Sequence, residues 1–407
     1  MRPSRSADVI VLGLGAMGSA ACFQLAVRGV PVIGIDRFEP PHPYGSTHGD
    51  TRITRVAIGE GAEYVPLVRR SHELWREIEA RAGTRLLSVT GGLVLACAGS
   101  AFLARTRASA IQCRVAHENL SAAELGERFP MFATGADTEG YYEPGAGYVR
   151  PELAVRAQLE LARRHGARLK LGETVERWVA GAEGVRVETD AGAYDADRLV
   201  LCAGPWITEL FPGAGDLFAV HRQLMYWFGI RRGYERLREM PVFVWDLGEA
   251  EGFVHLDGFY GFPALDGAAG GVKVATESYE RTTSPDGRQH PATREETEEM
   301  YRRCIGPYLP WLGPEPVRTV SCLYTNTRGS RFVIDRHPEH ESVVVVSACS
   351  GHGFKHSAAI GEAVAQLVTA GESEVDLSPF ALGAWSRNRT HFPLSRPPLE
   401  GRGGMGA

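Results

Sequence analysis

The sequence predicts an α/β fold: a Rossmann-like dinucleotide-binding domain interleaved with an α+β domain built on a mainly antiparallel sheet. Three observations carry this prediction. A glycine-rich strand–helix junction opens the chain, apolar strand and helix segments return in the middle and at the end, and two β-rich stretches lie between them. At the junction, the apolar run Val9-Ile-Val-Leu12 leads into Gly13-Leu-Gly15-Ala16-Met17-Gly18, and an Ala/Leu-rich helical segment follows over 19–27. A second apolar run, 30–35, ends in Asp36. This is a β-α-β unit with an acid about 20 positions past the glycines, the spacing of a dinucleotide site. Gly13 permits the tight turn, Gly15 lets backbone approach a pyrophosphate, and Gly18 lets the helix lie close to the strand. The helix N-terminus offers oriented N–H groups to phosphates, and Asp36 stands where a ribose would donate hydrogen bonds.

The following elements are read in order. A polar, glycine-bearing loop spans 42–55, and a helix is expected over 65–82, with Leu67, His72, Leu74 and Ile78 near one face. Strands follow at 86–89 and 92–96, then an amphipathic helix over 151–165. Further strands are expected at 167–172, 174–179, 184–189 and 198–202, the last running into small residues at Ala203-Gly204-Pro-Trp206 as if returning to the cofactor. Residues 219–275 are rich in aromatics and β-formers with regular turn signals, which indicates an antiparallel sheet. A helix over 293–304, a strand pair at 332–335 and 342–347, and a helix over 354–370 complete the core. The nucleotide-binding domain is therefore assigned to 1–86, 147–218 and 316–390, the substrate domain to 87–146 and 219–315, and a loose tail to 391–407. Nicotinamide dehydrogenases usually keep their nucleotide domain contiguous, so the interleaving suits a bound flavin.

Composition narrows the class. The chain of 407 residues is 44% hydrophobic and 23% charged with a net charge of -5, which gives no reason to expect nucleic acid or an anionic membrane as partner. The apolar run at 9–18 is too short to span a bilayer and lacks a signal-cleavage pattern, so a cytoplasmic location is expected. Seven scattered cysteines without a Cys-x-x-Cys pair argue against a disulfide framework or a zinc site. Only Lys170, Lys273 and Lys355 among the 44 basic residues are lysines. Where either cation would serve this chain uses arginine, so a surviving lysine marks a place for a compact point charge. Lys170 alternates along a solvated strand. Lys273 and Lys355 lie in glycine-rich, low-charge surroundings.

Six motifs in order then carry a family resemblance. They are Gly13 to Gly18, Gly45-Ser-x-His-Gly-Asp-Thr-Arg-Ile-x-Arg55, Tyr260-Gly-Phe-Pro263 with Lys273, Cys322-x-Tyr-Thr325, Ile334-Asp-x-His-Pro-Glu-His340 and Ser350-Gly-His-Gly-Phe-Lys355. From residue 8 to about 385 the chain resembles the monomeric sarcosine oxidase / N-methyltryptophan oxidase family of D-amino-acid-oxidase-like flavoproteins. The resemblance implies FAD, joined to Cys322 by a thioether at the flavin 8α-methyl; a buried, unmodified thiol is the plain alternative. It implies that Lys273 contacts the flavin face through water and promotes reaction with O2, stabilising a charge that develops only during reaction. Arg55 and Lys355 match the pair that holds a substrate carboxylate. Arg52 matches a second arginine near the ring, although two arginines three apart also suit a solvated surface helix. Tyr260 and Tyr324 match the lining of the substrate cavity, and His48 a position beside the flavin. The implied cofactor-binding set is Gly13, Gly15, Ala16, Met17, Gly18, Asp36 and Arg37, with Ser46, His48, Thr51 and Arg52 from the loop. Val175, Ala203, Gly204, Trp206, Cys322, Gly351, Gly353, Phe354 and Lys355 complete it. A monomer is implied as well.

One departure stands out. Four residues after Lys273, where sarcosine oxidases carry histidine, the chain has Glu277. A carboxylate there prefers a cationic or proton-donating ligand, and can shift an amine's pKa or act as a base. Residues 265–269 also lengthen a loop expected over the cavity. The expected activity is oxidation of a secondary amine or N-methyl amino acid by hydride transfer to the flavin, giving an imine and H2O2. Three alternatives stand beside it: a cyclic imino-acid oxidase of secondary-metabolite biosynthesis, a dehydrogenase passing electrons to a protein, and a non-catalytic flavin subunit of a larger complex.

Overall fold

Fully apolar strands put Val9–Leu12 in the middle of a six-stranded sheet ordered Val333–Arg336, Val343–Ser347, Arg198–Leu201, Val9–Leu12, Val32–Asp36, Arg168–Leu171. Every pairing is parallel except that of the first two strands. Such strands read as continuous hydrophobic runs because both faces of a parallel sheet are covered. Helices Ala16–Val27, Val65–Ala82, Pro151–Arg164 and Ser357–Ala370 cover one face. The small antiparallel sheet of Val175–Gly181, Gly184–Thr189 and Gly192–Ala196 covers the other, Val185 and Val187 packing with Ile10, Leu12, Ile33 and Ile35. The computed structural model describes residues 6–248, 257–279, 282–287 and 290–383. The tail expected over 391–407 lies outside them.

A second, eight-stranded sheet is ordered Leu312–Thr327, Phe218–Ile230, Val272–Thr276, Asp257–Gly261, Val242–Gly248, Gly92–Cys97, Thr138–Glu143, Glu118–Leu120. It is antiparallel except where Val242–Gly248 runs parallel to Gly92–Cys97. Its two faces differ. Phe228, Phe243, Phe259, Val272 and Val274 pack on Met300, Ile305 and Leu309. Register puts the alternate residues on the opposite face: Val244 opposite Tyr260, Tyr260 opposite Ala275, Trp227 opposite Lys273 and Gln223 opposite Cys322. The residue types that carry chemistry thus leave the sheet on one side.

Several local outcomes go beyond or against the sequence reading. Arg52 lies on a strand, Arg52–Thr54, paired with Gly147–Val149, and not on a surface helix. Leu87–Val89 also pairs with Gly147–Val149, completing this small fourth sheet, while Gly92–Cys97 joins the eight-stranded one. The helix expected over 293–304 starts with a Thr293/Glu296 capping box but widens into a π-turn at Tyr301–Ile305. The strand Leu312–Thr327 runs through residue 316, where a domain boundary was expected, because its whole length pairs with Phe218–Ile230. Helix Ala101–Gln112, capped by Ser100, and strand Thr138–Glu143 were not anticipated; the helix has small and basic residues on its outer face and a weak apolar stripe.

The first junction is held by close backbone contact. Gly13 has φ +79°, and a Cβ on Gly18 would lie 1.7 Å from the Gly13 carbonyl oxygen. Gly18→Ala is therefore expected to push the helix off the strand and lower thermal stability by at least the ~1–3 kcal/mol of an overpacked core. Calorimetry of the purified variant checks this.

Candidate active site

A cavity of about 530 Å3 runs from the carboxyl ends of the parallel strands to the chemistry-bearing face of the large sheet. Its first part is lined by Gly13, Gly15, Ala16, Met17, Asp36 and Arg37. Asp36 takes the Leu14 N–H at 2.7 Å on one carboxylate oxygen and the Phe38 N–H at 2.8 Å on the other. Each oxygen keeps a lone pair for a further donor. Helix Ala16–Val27 begins at the cavity with no acidic residue in its first turn, leaving its positive end to an anion. Gly15 is informative. A Cβ there would meet only Thr47 Oγ1, at 3.5 Å, an ordinary contact. Nothing in the protein demands glycine at this position, whereas a phosphate lying against the backbone does. The donor set fits a dinucleotide.

Farther along, Val175, Ala203, Gly204, Trp206 and Ser46 line the wall. Arg37 and Trp206 are joined at the mouth by Asp286, which accepts from Arg37 Nη1 at 2.8 Å and Trp206 Nε1 at 2.9 Å. The turn before the last helix contributes Gly351, Gly353, Phe354 and Lys355. That turn is strained and strapped down: Ser350 has φ +40°, its N–H donates to Thr325 O at 3.0 Å and its hydroxyl to Arg331 O at 3.3 Å. Gly18, His48, Thr51, Lys273 and Cys322 stand one layer behind the lining. Lys273 Nζ donates to Gly49 O at 2.5 Å, Thr51 O at 2.9 Å and Thr51 Oγ1 at 3.2 Å, with the Phe262 ring 4.6 Å away. Burial and Arg52 hold this amine well below the usual lysine range. Cys322 Sγ lies 3.8 Å from an Arg52 nitrogen and 3.6 Å from Ser46 O. Burial raises its thiol pKa, while Arg52 and Lys273 oppose the rise. Burial, Arg52 and Lys273 push His48 down to about 3, so its imidazole is neutral.

The far end is a polar cage of Arg52, Arg55, Glu60, Tyr260, Glu277, Tyr324, His352 and Lys355. Arg55, 7% exposed, ion-pairs with Glu60 at 2.8 Å and donates to Ala57 O. Burial works against the Glu60 carboxylate, but Arg55, Lys355 and His352 outweigh it and hold its pKa far below the usual range. Lys355 Nζ donates to His352 O at 2.8 Å, and burial with Arg55 lowers it to about 8 against the pull of Glu60. Burial raises Glu277 to about 7, although it accepts a hydrogen bond from Tyr279 at 2.7 Å. The Tyr260 and Tyr324 hydroxyls are 3.2 Å apart.

Sequence reasoning missed Glu60, Tyr279 and His352. Glu60 is five residues after Arg55 in a glycine-flanked stretch, a signal that could have been read; Tyr279 acquires meaning only through its contact with Glu277. The 265–269 segment contributes nothing to the lining, contrary to the expectation of a loop over the cavity. It turns away from the site, with Ala264 N–H bonded to Leu237 O and Leu265 packed beside Tyr148, Val242 and Phe262.

Similarity to known proteins agrees with this geometry. Residues 8–367 match the family described as FAD dependent oxidoreductase. Monomeric sarcosine oxidase of Streptomyces avermitilis is 40% identical over 370 residues, 89% of this chain and 94% of that protein. N-methyl-L-tryptophan oxidase of Yersinia pestis is 33% identical over 377 residues, 92% of this chain and 98% of that protein. Among solved structures NikD, an unusual amino acid oxidase essential for nikkomycin biosynthesis, superposes with a TM-score of 0.79 at 27% identity, covering 93% of this chain and 98% of its own.

Gly15→Ala should leave the fold intact and weaken nucleotide retention. The expected result is an unchanged circular dichroism spectrum and thermal profile for flavin-free protein, with flavin content on purification falling at least tenfold.

Proposed function

The chain belongs to the FAD dependent oxidoreductase family and is an FAD-dependent amine oxidase, for which we propose an N-methyl amino acid or similar secondary amine bearing a carboxylate as substrate. The observation that carries the proposal is the cage at the end of the nucleotide cavity, where Arg55 and Lys355 converge beside Glu60 and Glu277. When bound, FAD supplies the acceptor for the hydride that leaves the carbon beside nitrogen, and O2 carries the electrons away as H2O2. The chain's own residues do the rest. Arg55 and Lys355 hold the carboxylate at two points, which fixes orientation as well as position. Ile53, Phe102, Val244 and Tyr260 supply apolar and aromatic wall that keeps water from the reacting carbon. Asp36, Gly15 and the first turn of Ala16–Val27 hold the adenosine and pyrophosphate.

Two finer assignments belong to the same proposal. Cys322 is the attachment point of the flavin, supported by the Arg52 guanidinium 3.8 Å from its sulfur, which works against the rise in thiol pKa that burial imposes. Lys273 supplies the positive charge that promotes the reaction with O2. Its three oxygen acceptors match the three donors of an ammonium and support a cation in an apolar place. Nucleotide-binding segments, expected over 1–86, 147–218 and 316–390, then alternate with substrate segments 87–146 and 219–315, with the last boundary moved past the strand Leu312–Thr327. We place the protein in the cytoplasm as a monomer; its seven cysteines are free thiols, and among the described residues no helix is long and apolar enough to cross a membrane.

Glu277 favours a second reading, a cyclic imino-acid oxidase of secondary-metabolite biosynthesis, and the similarity to NikD, an amino acid oxidase essential for nikkomycin biosynthesis, supports the biosynthetic part of it. Anaerobic bleaching of the flavin absorbance by a panel of sarcosine, N-methyltryptophan, proline, pipecolate, a cyclic imino acid and a primary amino acid separates the two. Bleaching by an acyclic N-methyl compound is the expected result, and bleaching by cyclic compounds alone moves the chain to the second reading. Peroxide release by the isolated protein excludes a non-catalytic subunit.

Cys322→Ala is expected to release flavin into the supernatant on acid precipitation, where the parent protein keeps it in the pellet. Lys355 gives a pH test with a definite sign. Its ammonium is present below about 8 and lost above it, so affinity for a carboxylate inhibitor should fall with rising pH through that value. Lys355→Met should bind the inhibitor more weakly and without this pH dependence; titration of the flavin absorbance reads both.

A further inference from the structure

After strand Val272–Thr276 a buried glutamine clamps the chain. Gln223, buried at 3% exposure, donates from Nε2 to Ser278 O at 2.5 Å and accepts the Ser278 N–H on Oε1 at 2.8 Å. Both backbone groups of Ser278 are therefore fixed. In extended chain the residues on either side of a clamped position point the same way, and here they are Glu277 and Tyr279. The Tyr279 hydroxyl donates to Glu277 Oε2 at 2.7 Å. The other carboxylate oxygen, Oε1, lies over the Gly351 turn, 3.3 Å from where a Cβ on that glycine would be, with the Tyr279 oxygen 2.7 Å from the same point. A side chain at Gly351 would displace the pair. The Tyr279 ring sits edge-on to His221 at 5.8 Å, and His221 is held in turn by Asn326 at 2.8 Å.

We propose that Glu277 accepts the proton that the substrate's secondary ammonium must lose before its carbon–nitrogen bond can be oxidised, and that Tyr279 and Gln223 are the positioning residues that aim it. The inference rests on the reading of the substrate as an amine with a carboxylate. Alkyl ammonium groups titrate near 10, so such a substrate arrives as a zwitterion, with no nitrogen lone pair to assist departure of hydride. Arg55 and Lys355 take the carboxylate, which leaves the ammonium facing the cage's acids. In the step an N–H bond breaks, an O–H bond forms on Glu277, and no electrons change hands. Glu60 is the other acid in the cage, but its ion pair with Arg55 commits it. Burial and Glu60 raise the Glu277 pKa, the Tyr279 hydrogen bond, Lys355 and Arg55 lower it, and the hydroxyls of Tyr260 and Tyr324 also face it. The balance, about 7, suits a base working at neutral pH.

The test is stopped-flow anaerobic reduction of flavin-loaded enzyme across about pH 6–9, with a panel amine that bleaches the parent protein. The limiting rate of the parent should rise through one ionisation near neutrality. Glu277→Gln should lose that ionisation, and its apparent affinity should climb about tenfold per pH unit as it becomes dependent on free amine. Glu277→Asp should restore the ionisation. Tyr279→Phe should keep the ionisation but move it upward, since the lost hydrogen bond stabilised the carboxylate; a merely structural tyrosine would alter the rate and leave the midpoint in place. An unchanged pH profile in Glu277→Gln with an intact flavin spectrum overturns the proposal alone. A panel that never bleaches the parent protein overturns the amine reading, and this proposal with it.

Discussion

The site is organised around a charge problem. Arg52, Arg55, Lys273 and Lys355 are brought together between two sheets, three of them at 7% exposure or less. A buried cation is costly unless hydrogen-bonded or paired, and each of these has its own set of acceptors, with Thr51 O shared between Lys273 and Arg52. Glu60 pairs with Arg55, His352 O accepts from Lys355, and Gly49 and Thr51 surround Lys273 with oxygen. Arg52 is bound by Thr51 O and Ser46 O. Most of these acceptors come from one stretch, 45–60, which turns its carbonyls inward to meet the cations. That loop is consequently wall, counter-charge and scaffold at once, and burial first, then the neighbouring arginines, depress the pKa values of Lys273 and Lys355. An anionic ligand group would offset those neighbouring positive charges.

The second organising element is the two-residue period of the large sheet. One face is a conventional aromatic core against helices, and the other delivers Tyr324, Cys322, Tyr260 and Lys273 toward the cavity. A slip of one residue in any strand would send its chemical residue into the aromatic core, so the register of the long Phe218–Ile230 and Leu312–Thr327 pair fixes catalytic geometry as well as stability. The parallel sheet contributes no charged group to the cage. It supplies strand ends and a helix N-terminus for the nucleotide, which is why the two domains can interleave without competing for the same surface.

The relatives share the family and are named for different substrates. In this chain the cage contains two carboxylates of contrasting character. Glu60 is committed to Arg55, whereas Glu277 is held in a neutral-pH range by burial and by a tyrosine. Two acids pushed apart in pKa by their surroundings have different tasks.

The sequence by itself determined the nucleotide half. Gly13, Gly15, Gly18 and Asp36 lie within one β-α-β unit and act mainly through its turns and contacts, although Gly13 also packs on the Cys202 backbone, so their spacing carries most of their structure. The helices Val65–Ala82 and Pro151–Arg164 were likewise legible because their apolar periodicity is a local property. Motif resemblance brought Arg55, Lys273, Cys322 and Lys355 into view but not their partners. The tertiary structure alone decided that Glu60 neutralises Arg55, that Gln223 reaches 55 residues along the chain to clamp Ser278, and that Tyr279 holds Glu277. It also decided that Arg52 lies on a strand, since the pairing with Gly147–Val149 joins segments far apart in the chain. Contacts of this kind depend on which strands become neighbours, and no window of local sequence contains that information.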